Sequence, residues 1–167
     1  MTFVAESERL LLRPLAVRDW PVFREYSLSK RAKYSAGSET VGQAWRFFAM
    51  FIGHWELRGY APLGLVERGG PDRAIGFAGP FFPADWPEPE LGWHIWDGTK
   101  EGKGIAFEAV VAARAWAAER FGWTRMVSYI NEENTRSIRL AERLGCTLDD
   151  AAQRRPDNSP VWRHPAI

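Results

Sequence analysis

Glycines at positions 98, 102 and 104 join a strand-like run, Glu90–Trp96, to a helical run that reaches about Arg120. Along that helix Ala106, Ala109, Val110, Ala113 and Ala117 share one face, with Glu108 and Glu119 opposite. A face of small residues buries useful area only by lying close against a sheet. Strand, glycine turn and small-faced helix must therefore pack as one unit, and the rest of the chain has to complete the sheet.

The remaining periodicities supply it. Glu8–Leu15 reads as a first strand, bounded by Pro14. Asp19 is expected to cap a helix that tolerates Pro21 in its first turn and runs to about Leu28. A second helix is expected from about Thr40 to Leu57, ended by Gly59. Tyr60–Glu67 and Ala74–Phe82 read as strands separated by Gly69-Gly70-Pro71-Asp72, a hairpin signal, and a Pro-rich acidic loop, Pro83–Pro89, leads into Glu90–Trp96. Arg125–Ile130 is a strand and Asn134–Leu144 a helix stopped by Gly145. Cys146–Leu148 and Val161–Arg163 are final strands. The order β-α-α-β-β-β-α-β-α-β, with one further strand, describes a mixed α/β or α+β layer fold.

With 167 residues and no repeat or linker, the chain reads as a single domain over 1–167. Its 22 basic and 21 acidic residues give no footprint for nucleic acid or an anionic membrane. No apolar run is long enough to span a bilayer, and the first residues do not read as a secretion signal. The lone Cys146 suits a reducing compartment, so a cytoplasmic location is expected. His54, His94 and His164 lie far apart and show no metal-ligand spacing, so no metal is expected.

Two segments carry candidate chemistry. Glu101-Gly102-Lys103-Gly104-Ile105-Ala106 opens a helix, and its glycines free successive N–H groups to converge on a phosphate or pyrophosphate. By itself it is equally a turn. It lacks the Lys-Ser/Thr of a P-loop and comes too late in the chain for a dinucleotide fingerprint. The second, Asn131–Ser137, follows a strand and places Asn134 as an N-cap with Ser137 one turn on.

Taken together, strand, Gly-x-Gly-x-Ala, small-faced helix, strand and Asn-x-x-Ser resemble the acetyl-CoA core of the GNAT superfamily of N-acetyltransferases. Glu8–Leu15 and Glu90-Leu91-Gly92-Trp93 resemble its ribosomal-protein N-terminal (alanine) acetyltransferase-like branch. The resemblance runs from about Glu8 to Pro165. It implies a mostly antiparallel sheet of about six to seven strands with helices on both faces. It also implies acetyl transfer from acetyl-CoA to a primary amine, of a small molecule or a peptide N-terminus, by direct attack in a ternary complex.

Carried onto this sequence, the resemblance implies that the backbone of His94, Ile95 and Trp96 pairs with the pantetheine arm. The N–H groups of Gly102, Lys103, Gly104, Ile105, Ala106 and Phe107 would hold the pyrophosphate, and Asn134 would bond the pantetheine or acetyl end. Glu90 is expected as the base, and Ser137 or a water as the acid. The family usually has Gln or Arg where Glu101 stands and often Tyr where Ala141 stands. Trp86, Asp85 and Trp93 are the candidates for the acceptor wall, with carboxylates and an indole face suited to an ammonium. A homodimer is compatible with this reading. The competing reading is a catalytically silent acetyl-CoA-binding sensor or interaction module.

Overall fold

A computed structural model describes residues 2–167. Its strands are β1 (Ala5–Glu6), β2 (Leu10–Arg13), β3 (Leu63–Glu67), β4 (Gly76–Phe81), β5 (Glu90–Ile95), β6 (Val127–Tyr129), β7 (Thr147–Leu148) and β8 (Val161–Arg163). Its α-helices are α1 (Trp20–Ser27), α2 (Val41–Arg58), α3 (Ile105–Phe121) and α4 (Thr135–Arg143). The strands form one sheet in the order β1-β2-β3-β4-β5-β6-β8-β7. Neighbours are antiparallel except β5 and β6, which run parallel and register at Glu90 and Val127. The sheet has eight strands rather than six or seven. The added one, β1, is two residues long, too short to leave a period in the sequence.

Helix starts follow local chemistry with one exception. Thr40 caps α2 by accepting from the Gln43 N–H, while the Gln43 side chain accepts from the Thr40 N–H, each at 3.2 Å. Asp19 stands at the N-cap of α1 but makes no cap bond. Its carboxylate instead accepts from Arg13 at 2.7 and 2.9 Å and from the Ala74 N–H at 2.8 Å. Both side chains are fully buried. A buried guanidinium offers more to a carboxylate than a helix N–H does. Removing one partner would strand the other charge, at a cost of about 3–5 kcal/mol.

The layers sit on opposite faces of the sheet. On one, Ile105, Ala109, Val110, Ala113 and Ala117 of α3 bury against Leu10, Leu12, Leu63, Leu65 and Leu91. Ile105, rather than Ala106, starts that ridge, because residues four apart line up on a helix. Glu108 is not a solvated residue either: it accepts from the Ser7 hydroxyl and the Arg9 N–H, both at 2.7 Å, and ties the β1–β2 turn to α3. On the other face Phe23 of α1 and Phe48 and Phe51 of α2 meet Phe77, Phe81 and Trp96. Among the described residues no helix is long and apolar enough to cross a membrane.

Candidate functional site

The single register point between β5 and β6 leaves the sheet open beyond it, and the pleat decides what faces the opening. The Pro89 carbonyl accepts from the Val127 N–H at 3.1 Å, and the Leu91 carbonyl from the Ser128 hydroxyl at 2.6 Å. Backbone groups alternate sides along a strand, so those of Trp93 and Ile95 point the same way. On the alternate side, the Trp96 N–H donates to the Ile75 carbonyl at 2.8 Å. Of the expected run His94-Ile95-Trp96, the pleat turns Ile95 toward the opening, with Trp93 beside it, and turns His94 and Trp96 away. Trp96 is buried, its ring 5.2 Å from Phe23.

Below the opening lies a groove of ≈ 610 Å³ whose lining includes Arg31, Arg136, Arg139 and Arg143. Gly102 and Gly104 have φ of 71° and 77°, a left-handed conformation that costs glycine nothing and bends successive N–H groups toward one side. The first bond of α3 runs from the Glu108 N–H to the Gly104 carbonyl, so the N–H groups of Ile105, Ala106 and Phe107 have no partner within the helix. Lys103 lies outside the groove, its carbonyl accepting from Arg9 at 3.0 Å. Glu101 lines the groove but is neutralised. Burial alone would raise its pKa, yet hydrogen bonds from Arg31 and Arg136 hold it below the usual range. Arg31 also donates to the Ile95 and Trp96 carbonyls at 2.9 and 2.7 Å.

On the other side of the opening is a largely apolar cavity of ≈ 360 Å³. Glu90 lines it, half-buried overall with its carboxyl withdrawn from water. That confinement raises its pKa to about 7, against the opposing pull of Arg155 and a 3.4 Å hydrogen bond from the Tyr129 N–H. Gly92 stands beside it: a Cβ there would come within 3.5 Å of Glu90 Oε2. His94 also lines the cavity, but burial pushes its pKa down to about 3, and its Nδ1 has no partner among the described residues. It stays neutral and accepts a proton far less readily than Glu90.

Groove and cavity meet at Tyr34, Ser35, Trp93, His94, Asn134 and Ser137. Asn134 caps α4 by accepting from the Ser137 N–H at 3.3 Å. Ala141 is fully buried in the core, so nothing at that position can stand in for a tyrosine hydroxyl. Asp85 and Trp86 both line the cavity, whereas Glu88 of the same loop is held away from it by two 2.9 Å bonds from Arg163. The indole of Trp86 already carries a cation, the Arg155 guanidinium 5.0 Å from its ring. Cys146 is a buried thiol raised to about 11 by burial, poorly suited to nucleophilic work.

Sequence reasoning missed Tyr34, Arg31 and Arg155. Tyr34, whose hydroxyl donates to Glu133 at 3.1 Å, and Arg31 come from the irregular segment between α1 and α2. Arg155 comes from a loop before β8. None stands in a motif or a periodic run, so no local signal marks them.

The likenesses to known proteins concern family and fold. A family model described as an acetyltransferase (GNAT) domain matches residues 9–147. The solved structure of an acetyltransferase from Agrobacterium tumefaciens str. C58 is similar with a TM-score of 0.88 at 35% identity, over 98% of this chain and 95% of that one. A ribosomal-protein alpha-N acetyltransferase is similar with a TM-score of 0.75 at 20% identity, over 99% and 94%. An aminoglycoside acetyltransferase in complex with coenzyme A gives 0.74 at 16%, over 93% of each chain. At those lower identities the last two show a shared fold.

Proposed function

The chain belongs to the GNAT acetyltransferase family, and from that premise we propose that it transfers acetyl from acetyl-CoA to a primary amine by direct attack in a ternary complex. The observation that carries this reading is the meeting of two unlike spaces, one lined with free N–H groups and cations, the other holding a carboxyl with a pKa of about 7.

Residues of the groove fit the co-substrate. The N–H groups at the start of α3 suit a pyrophosphate, and the backbone of Trp93 with the N–H of Ile95, whose carbonyl Arg31 already takes, suits an amide-bearing arm. The coenzyme A complex of the aminoglycoside enzyme, which shares the fold, supports the same use. In the cavity Glu90 takes a proton as the amine nitrogen attacks the thioester carbonyl. The C–S bond then breaks, and the departing thiolate takes a proton from Ser137 or from a water at the junction. How much Glu90 must do depends on the acceptor. Neutralising a lysine side chain at pH 7 takes about 4–5 kcal/mol, an α-amine only about 1–1.5.

The test has two parts. Calorimetry should show acetyl-CoA binding in preference to ATP or NAD. Thiol release across a panel of amines should then show turnover. Binding without any turnover would favour a sensor over an enzyme.

A further inference from the structure

The charges around the acceptor cavity are uneven in a way that acetyl transfer to a plain amine does not need. Among the described residues Arg155 is the only lysine or arginine lining it. A simple cationic amine would gain nothing from a guanidinium in its pocket.

Arg155 is also held in place. It lies 5.0 Å from the Trp86 ring and 5.5 Å from the Tyr129 ring, rings that themselves meet edge to face. Its Nε donates to Asp157 at 2.7 Å and its Nη2 lies 2.6 Å from the other carboxylate oxygen. The turn that supplies these partners is closed by the Asn158 N–H on the Arg155 carbonyl at 2.9 Å, with Asn158 at φ 60°. Asparagine tolerates that left-handed geometry. Nη1 donates to no protein atom among the described residues. A guanidinium gripped on one edge and resting beside two rings loses little freedom when its remaining donors take a ligand.

Tyr129 places this group relative to Glu90. Its N–H donates to Glu90 while its ring lies beside Arg155, so the two ionisable groups flank one residue. Phe47, Phe51 and Phe81 supply apolar wall, and the volume of ≈ 360 Å³ sits at the small end of ligand pockets, which run about 300–1,000 Å³. Asp85, exposed at the same cavity, adds negative charge on the side of an incoming ammonium.

We infer that the acceptor is a free amino acid with an apolar side chain. Its amine lies at Glu90, its carboxylate takes the free donors of Arg155 Nη1, and its side chain rests against the phenylalanines. This rests on the acetyl-transfer reading and narrows its substrate class from any primary amine to one bearing a carboxylate. A peptide N-terminus, which lacks that carboxylate, is the outcome it argues against.

The experiment compares three acceptors that differ only at one end: phenylalanine, phenylalaninamide and phenethylamine, each with acetyl-CoA and read by thiol release. Wild type should favour the acid over the amide by about tenfold to a hundredfold in kcat/KM, the worth of a hydrogen bond to a charged group. Arg155→Gln should bring that ratio close to one, and Arg155→Lys should restore part of it. An amide or amine used as well as the acid by wild type would overturn the proposal, as would an unchanged ratio in a folded Arg155→Gln protein. Absence of thiol release with all three, while another amine of the panel is turned over, would overturn the proposal, whereas absence across the whole panel with acetyl-CoA still bound would sink the enzymatic reading instead. Calorimetry of acid against amide on the CoA-bound protein then decides the acceptor class.

Discussion

The groove and the cavity meet at one opening yet are built in different ways. The groove is made of backbone: the turn at Gly102–Gly104, the first N–H groups of α3 and the unpaired side of β5. The cavity is made of side chains from segments far apart in the chain, from Tyr34 to Arg155. A backbone site depends on conformation and tolerates side-chain change. A side-chain site depends on which residues the fold brings together, and can be re-specified without disturbing the other.

The sharpest way to separate the two regions is Glu90→Gln. Turnover at pH 7 should fall by roughly 10²–10⁴-fold, the usual worth of a positioned base. Acetyl-CoA affinity, measured by calorimetry, should stay within about twofold. The loss should shrink as pH rises and the amine deprotonates unaided. Wild-type kcat/KM should show a limb titrating near 7, where Glu90 does. Equal activity of the variant at pH 7 on a true acceptor would remove Glu90 from the chemistry.

The converse change lies in the groove. Gly104 sits at φ 77°, where a β-branched residue is strained, although a Cβ would find its nearest neighbour at 3.6 Å. Gly104→Val should weaken acetyl-CoA binding about tenfold or more through the backbone, not through a clash. Lys103→Ala should change it by less than about twofold. Equal small effects in folded proteins would mean that the turn does not hold the pyrophosphate.

A smaller effect is expected at the cavity wall. Trp86→Ala removes one ring beside Arg155, a contact of roughly 0.5–2 kcal/mol, so acceptor KM should rise about two- to thirtyfold. Acetyl-CoA affinity measured by titration should not move. A matching loss of both affinities would show that groove and cavity are not separable.

The least of the four is a stability effect at the same carboxyl. Glu90 is raised from an ordinary 4.5 to about 7, so the folded state binds its proton more tightly than the unfolded state. Its contribution is fully present below 4.5 and is lost as pH rises through 7. Thermal melts should therefore show Glu90→Gln gaining a few degrees relative to wild type between pH 5 and pH 8. A constant difference across that range would mean the carboxyl is not perturbed.

What the sequence alone determined is local. Gly102 and Gly104 ahead of an alanine-faced helix already imply free N–H groups at a helix start, because positive φ and small side chains are properties of those residues themselves. Asn134 as the cap of α4 was legible for the same reason, since a cap bond spans only three residues. Other assignments needed the tertiary structure. Asp19 looks like a cap in sequence and is one end of a buried ion pair, because Arg13 and Ala74 reach it only once β2, α1 and β4 are assembled. The pleat that turns Trp93 and Ile95 toward the opening is fixed by pairing with β4, which no strand carries alone. Arg155 and Tyr34 reach the site from irregular segments whose course is set by what they pack against, so chain spacing holds no trace of their placement.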